Sequence, residues 1–251
     1  LRAACDANPY LWQYLRMLPI SQFGIPQYCA KLEKQMADVK KPNFIYPITG
    51  NLFAHILVDF NNPINTYIPI DPTLTMDITQ KFLEVEQKCI EHGDRLPEFN
   101  IYADHEKQLM NYVDMLTTTN AQSDTDSWLN RLMKKGKNQN QLTKVYTSPE
   151  ELEVIKYIFI RDKIGLGALE PIILDHYIED ISCCGVGPVY LEHKIFGSLK
   201  SIITFTTMDE LDEFVLRMGE QMKKSLSYTN AIADATLQSG ARVNIVYGRD
   251  V

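Results

Sequence analysis

Arg242 lies two residues beyond a glycine, in Ser239-Gly-Ala-Arg-Val243, where a turn is expected to open the second strand of a hairpin. A strand just past a tight turn is a rigid base for a guanidinium. Arginine is always charged and grips phosphate oxygens in a two-pronged fashion. The alternative is a solvated cation paired with Asp or Glu, worth about 0–1 kcal/mol. Residue type alone leaves the two even. The adjacent thiols of Cys183 and Cys184 are the second candidate, as a redox switch or nucleophile. A nucleophilic cysteine needs a base or electropositive surroundings, and the neighbours here are Glu179 and Asp180. Strand alternation would turn one sulfur inward and one outward, so incidental thiols are expected and a redox enzyme is a remote third reading. Metal chemistry is not expected. Cys5, Cys29 and Cys89 stand apart, and His55, His92, His105, His176 and His193 are dispersed without ligand spacing. Gly165-Leu-Gly167 and Gly185-Val-Gly187 lack the strand–turn–helix context of a dinucleotide fingerprint. A helix C-cap and a hairpin turn explain them better.

These residues need a scaffold, and its class reads as α+β in two small layered domains. Residues 1–40 form a helical docking segment: Leu11, Tyr14, Leu15 and Leu18 share one face, Pro19 and Gly24-Ile-Pro26 interrupt it, and a second helix is expected over about 27–39. Residues 41–116 form a first α+β subdomain, with strand-like runs at 44–46, 52–59 and 66–70 and helices over about 76–91 and 104–116. Residues 117–147 form a polar and basic linker region holding Arg131, Lys134, Lys135, Lys137 and Lys144. A solvated face is the expected role of that island, and contact with anionic lipid or nucleic acid the alternative. Residues 148–251 form the second subdomain. Ser148-Pro-Glu-Glu151 is a capping box with proline at the first helical position, and Thr207-Met-Asp-Glu210 repeats the chemistry. Strands over 178–183, 189–193 and 202–205 and a closing hairpin make a small, mostly antiparallel sheet backed by helices.

Bulk properties narrow the functions. A net charge of −7 with a pI near 5.3 argues against a dedicated nucleic-acid binder. No apolar run approaches the ~20 residues of a membrane-spanning helix, and no signal peptide is evident at Leu1. A cytoplasmic location is expected.

The segments Lys163-Ile-Gly-Leu-Gly-Ala-Leu-Glu-Pro171, Tyr177-Ile-Glu-Asp-Ile-Ser-Cys-Cys-Gly185, Pro188-Val-Tyr-Leu-Glu-His193 and Asp234-Ala-Thr-Leu-Gln-Ser-Gly-Ala-Arg-Val-Asn-Ile245 occur in that order. Together they resemble the N-terminal domain of the type II/type IV secretion ATPase superfamily, nearest its archaeal GspE-like branch. Asn8-Pro-Tyr-Leu-Trp-Gln-Tyr-Leu15, Gly24-Ile-Pro26, Pro42-Asn-Phe-Ile-Tyr-Pro47 and Tyr67-Ile-Pro-Ile-Asp-Pro72 extend the likeness over most of the chain. The resemblance implies an N-terminal regulatory and oligomerisation domain of a hexameric secretion or type IV pilus assembly ATPase. It would cover ATP and Mg²⁺ held by a RecA-like C-terminal motor domain. Implied partners are that motor domain, neighbouring subunits of a homohexamer and a polytopic membrane platform protein, with no specific nucleic acid. The implied location is cytoplasmic, peripheral to the inner face of the cell membrane. Arg242 falls in the Gly-x-Arg-Val pattern from which the family aims an arginine at phosphates, and Gln221 stands where the family carries another arginine. No Walker A or Walker B segment occurs in the 251 residues, so the chain alone is expected to be inactive and to hold no cofactor, with no catalytic residue of its own. The rival reading is a non-enzymatic adaptor docking a membrane secretion complex through residues 1–116.

Overall fold

A computed structural model of the protein describes residues 1–100, 103–120, 142–227, 229–236 and 242–248. The fold class is α+β, as the element pattern implies. The division of the chain, however, is not linear. One compact unit is built from Leu1–Pro19 and Ile70–Pro171, the other from Ile20–Pro69 and Ile172–Val251. Successive blocks cut at 40, 116 and 147 differ from this arrangement because strands from the front and rear of the chain share one sheet. Composition carries no trace of such long-range pairing.

The first unit is mainly helical. It contains α1 (Arg2–Ala7), α2 (Pro9–Met17), α4 (Thr79–Glu91), α5 (His105–Leu116) and α6 (Pro149–Lys163). A short parallel pair joins β5 (Thr117–Thr118) to β6 (Val145–Tyr146). Val113 and Leu116 of α5 lie three apart, and on α6 Val154 with Ile158 and Ile155 with Phe159 lie four apart, so these faces gather with Val85 of α4, Ile78 and Val145 in one core. The start of α6 is settled locally. The Ser148 hydroxyl accepts from the Glu151 amide at 3.2 Å, and the Glu151 carboxylate accepts from the Ser148 amide at 2.8 Å. Glu151 also pairs with Lys81 of α4. Asp104 caps α5 by accepting from the Lys107 amide.

At the far end of α6 the sequence expectation fails. The C-cap is Ile164 and Gly165 follows it, but Gly165 is not among the glycines of positive φ, so it does not supply a left-handed cap. What Gly165 supplies is room, because a Cβ there would lie 2.7 Å from the Glu170 carboxyl group and 2.9 Å from the Arg161 carbonyl oxygen. The polar and basic island lies outside the described residues except for Lys144, which is exposed.

The second unit holds a seven-stranded mixed sheet in the order β1-β2-β3-β4-β9-β8-β7. Its strands are β1 (Gln27–Tyr28), β2 (Asn43–Thr49), β3 (Leu52–Leu57), β4 (Asn65–Ile70), β7 (Ile178–Ser182), β8 (Gly187–His193) and β9 (Gly197–Phe205). β2–β3, β7–β8 and β8–β9 are antiparallel, whereas β1–β2 and β4–β9 are parallel. The rear strands therefore do not form a sheet of their own. β4 joins them to the front set through Asn65–Leu199, Thr66–Lys200 and Tyr67–Ser201. Every residue of β3 is buried, as befits a strand covered on both faces. The helix expected over 27–39 is absent. After α3 (Ile20–Phe23) the chain takes up β1 and then a 3₁₀ turn at Lys34–Asp38. Pairing of Gln27 and Tyr28 with β2 and burial of Cys29 and Leu32 outweigh helical spacing there.

A short helix, α7 (Glu170–Ile173), precedes β7. Helix α8 (Met208–Gln221) begins at Thr207, whose hydroxyl accepts from the Glu210 amide. It buries Leu211, Phe214 and Met218, with Phe214 5.1 Å from the Phe205 ring of β9. The chain then forms an antiparallel ribbon of β10 (Ile232–Thr236) and β11 (Arg242–Val246). The turn expected at 239–240 lies outside the described residues. Among the described residues no helix is long and apolar enough to cross a membrane.

Candidate functional site

Arg242 opens β11 directly opposite Thr236 and is exposed. The ribbon alternates strictly. Ala233 and Ile245 are buried, while Ile232, Asp234, Thr236, Arg242, Asn244 and Val246 lie on the exposed face. Mid-ribbon, the Asn244 side chain donates through Nδ2 to Asp234 Oδ1 at 2.7 Å, which ties the acid to its cross-strand partner. Among the described residues no carboxylate lies within ion-pair distance of Arg242. The guanidinium is thus presented to solvent from a hydrogen-bonded strand, available to a phosphate. Gln221 is the last residue of α8 and is also exposed.

The two vicinal thiols differ from expectation. Both Cys183 and Cys184 are exposed, because β7 ends at Ser182 and alternation lapses in the bend that follows. Cys183 donates weakly to the Gly185 carbonyl at 3.6 Å, and Cys184 lies 3.4 Å from the Ser182 hydroxyl. Partial desolvation holds the Cys183 thiol above its ordinary value, opposite to what a thiolate nucleophile requires. Gly185, with φ of 96°, makes the β7–β8 turn as its residue type implies.

A buried polar cluster in the second unit was not foreseen. Asp175, in the segment after α7, accepts from the hydroxyls of Tyr46 at 2.6 Å and Tyr67 at 2.8 Å, and from the Tyr177 amide at 2.9 Å. Tyr46 stands on β2, Tyr67 on β4 and His193 on β8. The His193 ring nitrogen Nδ1 accepts from the amides of Ile195 and Phe196. Its proton therefore sits on Nε2, which points to the Tyr46 oxygen at 3.3 Å. The Tyr177 ring stacks on His193, and its hydroxyl accepts from the Leu32 amide at 3.0 Å. Burial, then the neighbouring Tyr67 and Asp175, hold the Tyr46 phenol well above its ordinary value; burial and Asp175 do the same for Tyr67. Both phenols therefore donate. The only trace in sequence is phase, since His193 shares the inward face of β8 with Val189 and Leu191. Each polar group is matched, and His193 and Asp175 are each 2% exposed. The cluster can clamp strands together but offers no surface to a substrate.

His193 within that clamp, and a second buried histidine, His55 on β3 beside Asn43, make the stability of this unit sensitive to pH. Burial, with Lys194 and His176 adding to it, lowers His193 to about 4 from 6.5, and burial lowers His55 to about 4. A depressed folded-state value means that the unfolded chain takes up protons first. The stability contribution is full above about pH 6.5, is lost as pH falls towards about 4, and is fully lost below it. Melting followed by circular dichroism between pH 7.5 and 4.5 should show the midpoint dropping by several degrees. In His193→Gln the drop should be smaller. An equal drop in both proteins would remove His193 from this account.

In the first unit a groove of about 590 Å³ is lined by Met17, Thr73, Thr75, Phe82, Ile158 and Arg161, among others. Its cation is already engaged. Arg161 donates to Asp162 at 2.8 Å and lies 3.6 Å from Asp71, which also accepts from Tyr157. Among the described residues no three His, Cys, Asp or Glu side chains gather as a metal-ligand set.

No family model matches the chain. Uncharacterized protein MJ0900 of Methanocaldococcus jannaschii is 33% identical over 254 residues, covering 100% of this chain and 45% of that protein. The chain thus spans less than half the length of that relative. Uncharacterized protein MJ1288 of the same organism is 30% identical over 227 residues, covering 89% of this chain and 81% of that protein. With most of both sequences aligned at this identity, the chain belongs to the same protein family as MJ1288.

Proposed function

We propose that the chain is the N-terminal regulatory and oligomerisation region of a hexameric secretion or type IV pilus assembly ATPase. In this reading it covers ATP bound by a separate motor domain and lies peripheral to the inner face of the cell membrane. The observation that carries the proposal is the exposed Arg242 at the head of β11. It is a phosphate-competent cation without a carboxylate partner among the described residues, inside the motif series that resembles the family. The length of MJ0900 supports it, since more than half of that relative lies beyond the aligned residues, enough for a further domain.

The role of this chain is electrostatic. A guanidinium held on a paired strand stabilises charge on a transferring phosphoryl group, and the remaining phosphate contacts come from the other domain. The purified 251-residue chain should therefore bind labelled ATP more weakly than about 1 mM and turn none over. A full-length protein carrying it should hydrolyse ATP and assemble into rings. Turnover by the chain alone, with contaminants excluded, would overturn the proposal, as would an inactive full-length protein. An adaptor role is the outcome the second result would favour.

A further inference from the structure

Exposed apolar side chains and lysines meet at one place in the second unit. Phe23, in α3, stacks on Phe60 with ring centroids 5.5 Å apart and planes 14° from parallel. The ammonium of Lys41 lies 5.5 Å from the centre of the Phe60 ring. Phe60 is 49% exposed, Ile20 47% and Ile25 74%. Lys40 and Lys41 are both exposed. The backbone beneath is held firmly. The Asn43 side chain donates to the Phe23 carbonyl at 2.8 Å, and the Val58 amide donates to the Pro42 carbonyl at 2.8 Å. Gly24, at φ 78°, turns the chain so that Ile25 projects. Of the acids close to these residues in sequence, Asp59 is occupied by the Asn61 amide and the Asn62 side chain, and Asp38 is exposed.

We infer that this patch seats the protein on an anionic lipid bilayer. The apolar groups sit on a one-turn helix and on the chain segments at Ile25 and Phe60. A fluid interface needs no complementary shape. It needs apolar groups to insert and cations to meet headgroups, and Ile20, Ile25 and Phe60 beside Lys40 and Lys41 supply both. The patch gives a surface to the membrane-peripheral placement proposed above, yet it stands on its own geometry.

Co-sedimentation with vesicles containing about 30 mol% anionic phospholipid tests it at low salt, with purely zwitterionic vesicles as the control. The chain should partition onto the anionic vesicles and be released by salt. Lys40→Gln with Lys41→Gln should weaken partitioning roughly 30-fold, from about fivefold per lysine near such a surface. Ile25→Asp should weaken it by at least about tenfold while circular dichroism stays unchanged. Absence of sedimentation, equal binding to both vesicle types, or wild-type binding by the charge and Ile25 variants would each overturn the inference. Because ATP turnover is measured separately, failure here is distinguishable from failure of the ATPase reading.

Discussion

Arg242→Ala in a full-length protein carrying this chain is expected to lower ATP turnover by on the order of 10³-fold, the scale of losing an arginine that faces a transferring phosphoryl group. The prediction follows from the position of the residue. Its Cα is paired with Thr236 in a five-residue ladder, so the guanidinium is delivered from a fixed base. The Asp234 carboxylate, which could have neutralised the ribbon face, is bound to Asn244 instead. Because the side chain is exposed, its loss should change stability by no more than about 0.5 kcal/mol. Circular dichroism and ring assembly would therefore stay as in the wild type. Arg242→Lys should recover only part of the rate, since a single ammonium keeps the charge but not the planar fork. Turnover unchanged in Arg242→Ala would leave the residue as an ordinary surface cation and take away the main support for the nucleotide-covering role.

Asp175→Ala should have the largest effect on folding. It strands three donors, the hydroxyls of Tyr46 and Tyr67 and the Tyr177 amide, all within buried residues. An unmatched buried donor costs about 1–3 kcal/mol, and water entering the new space offsets part of the total. A loss of about 3–5 kcal/mol is expected, close to the whole stability of many domains. Urea denaturation followed by circular dichroism would read it as a shift in midpoint. Asp175→Asn keeps the volume and one acceptor oxygen but turns an N–H₂ group towards donors, so it should fall between alanine and wild type. A cost below about 1 kcal/mol for the alanine variant would mean that the cluster is not the clamp described here.

The parts of this molecule that were legible in sequence are those whose geometry closes within a few residues. Ser148 to Glu151 and Thr207 to Glu210 state helix starts because the capping bonds span three residues. The strands at 43–49, 52–57 and 65–70 follow from β-branched and aromatic runs between turn residues. The exposure of Arg242 was legible as well, because alternation along a short strand suffices to expose its first residue. The region 27–39 misled because spacing alone cannot tell an amphipathic helix from a pair of strand residues leading to a 3₁₀ turn. Cys183 and Cys184 misled because the last paired residue of β7 is Ser182, so strand alternation stops just short of the thiols.

By itself, then, the sequence determined the helix N-caps at Ser148 and Thr207, the Gly185 turn, most element boundaries and the exposure of the candidate phosphate-facing arginine, all governed by interactions between near neighbours along the chain. Only the tertiary structure decided that β4 pairs in parallel with β9, and that Asp175 meets Tyr46 across 129 residues of sequence. Such contacts are selected by closing long loops and burying shared surface, a balance of chain entropy against packing that no local pattern records.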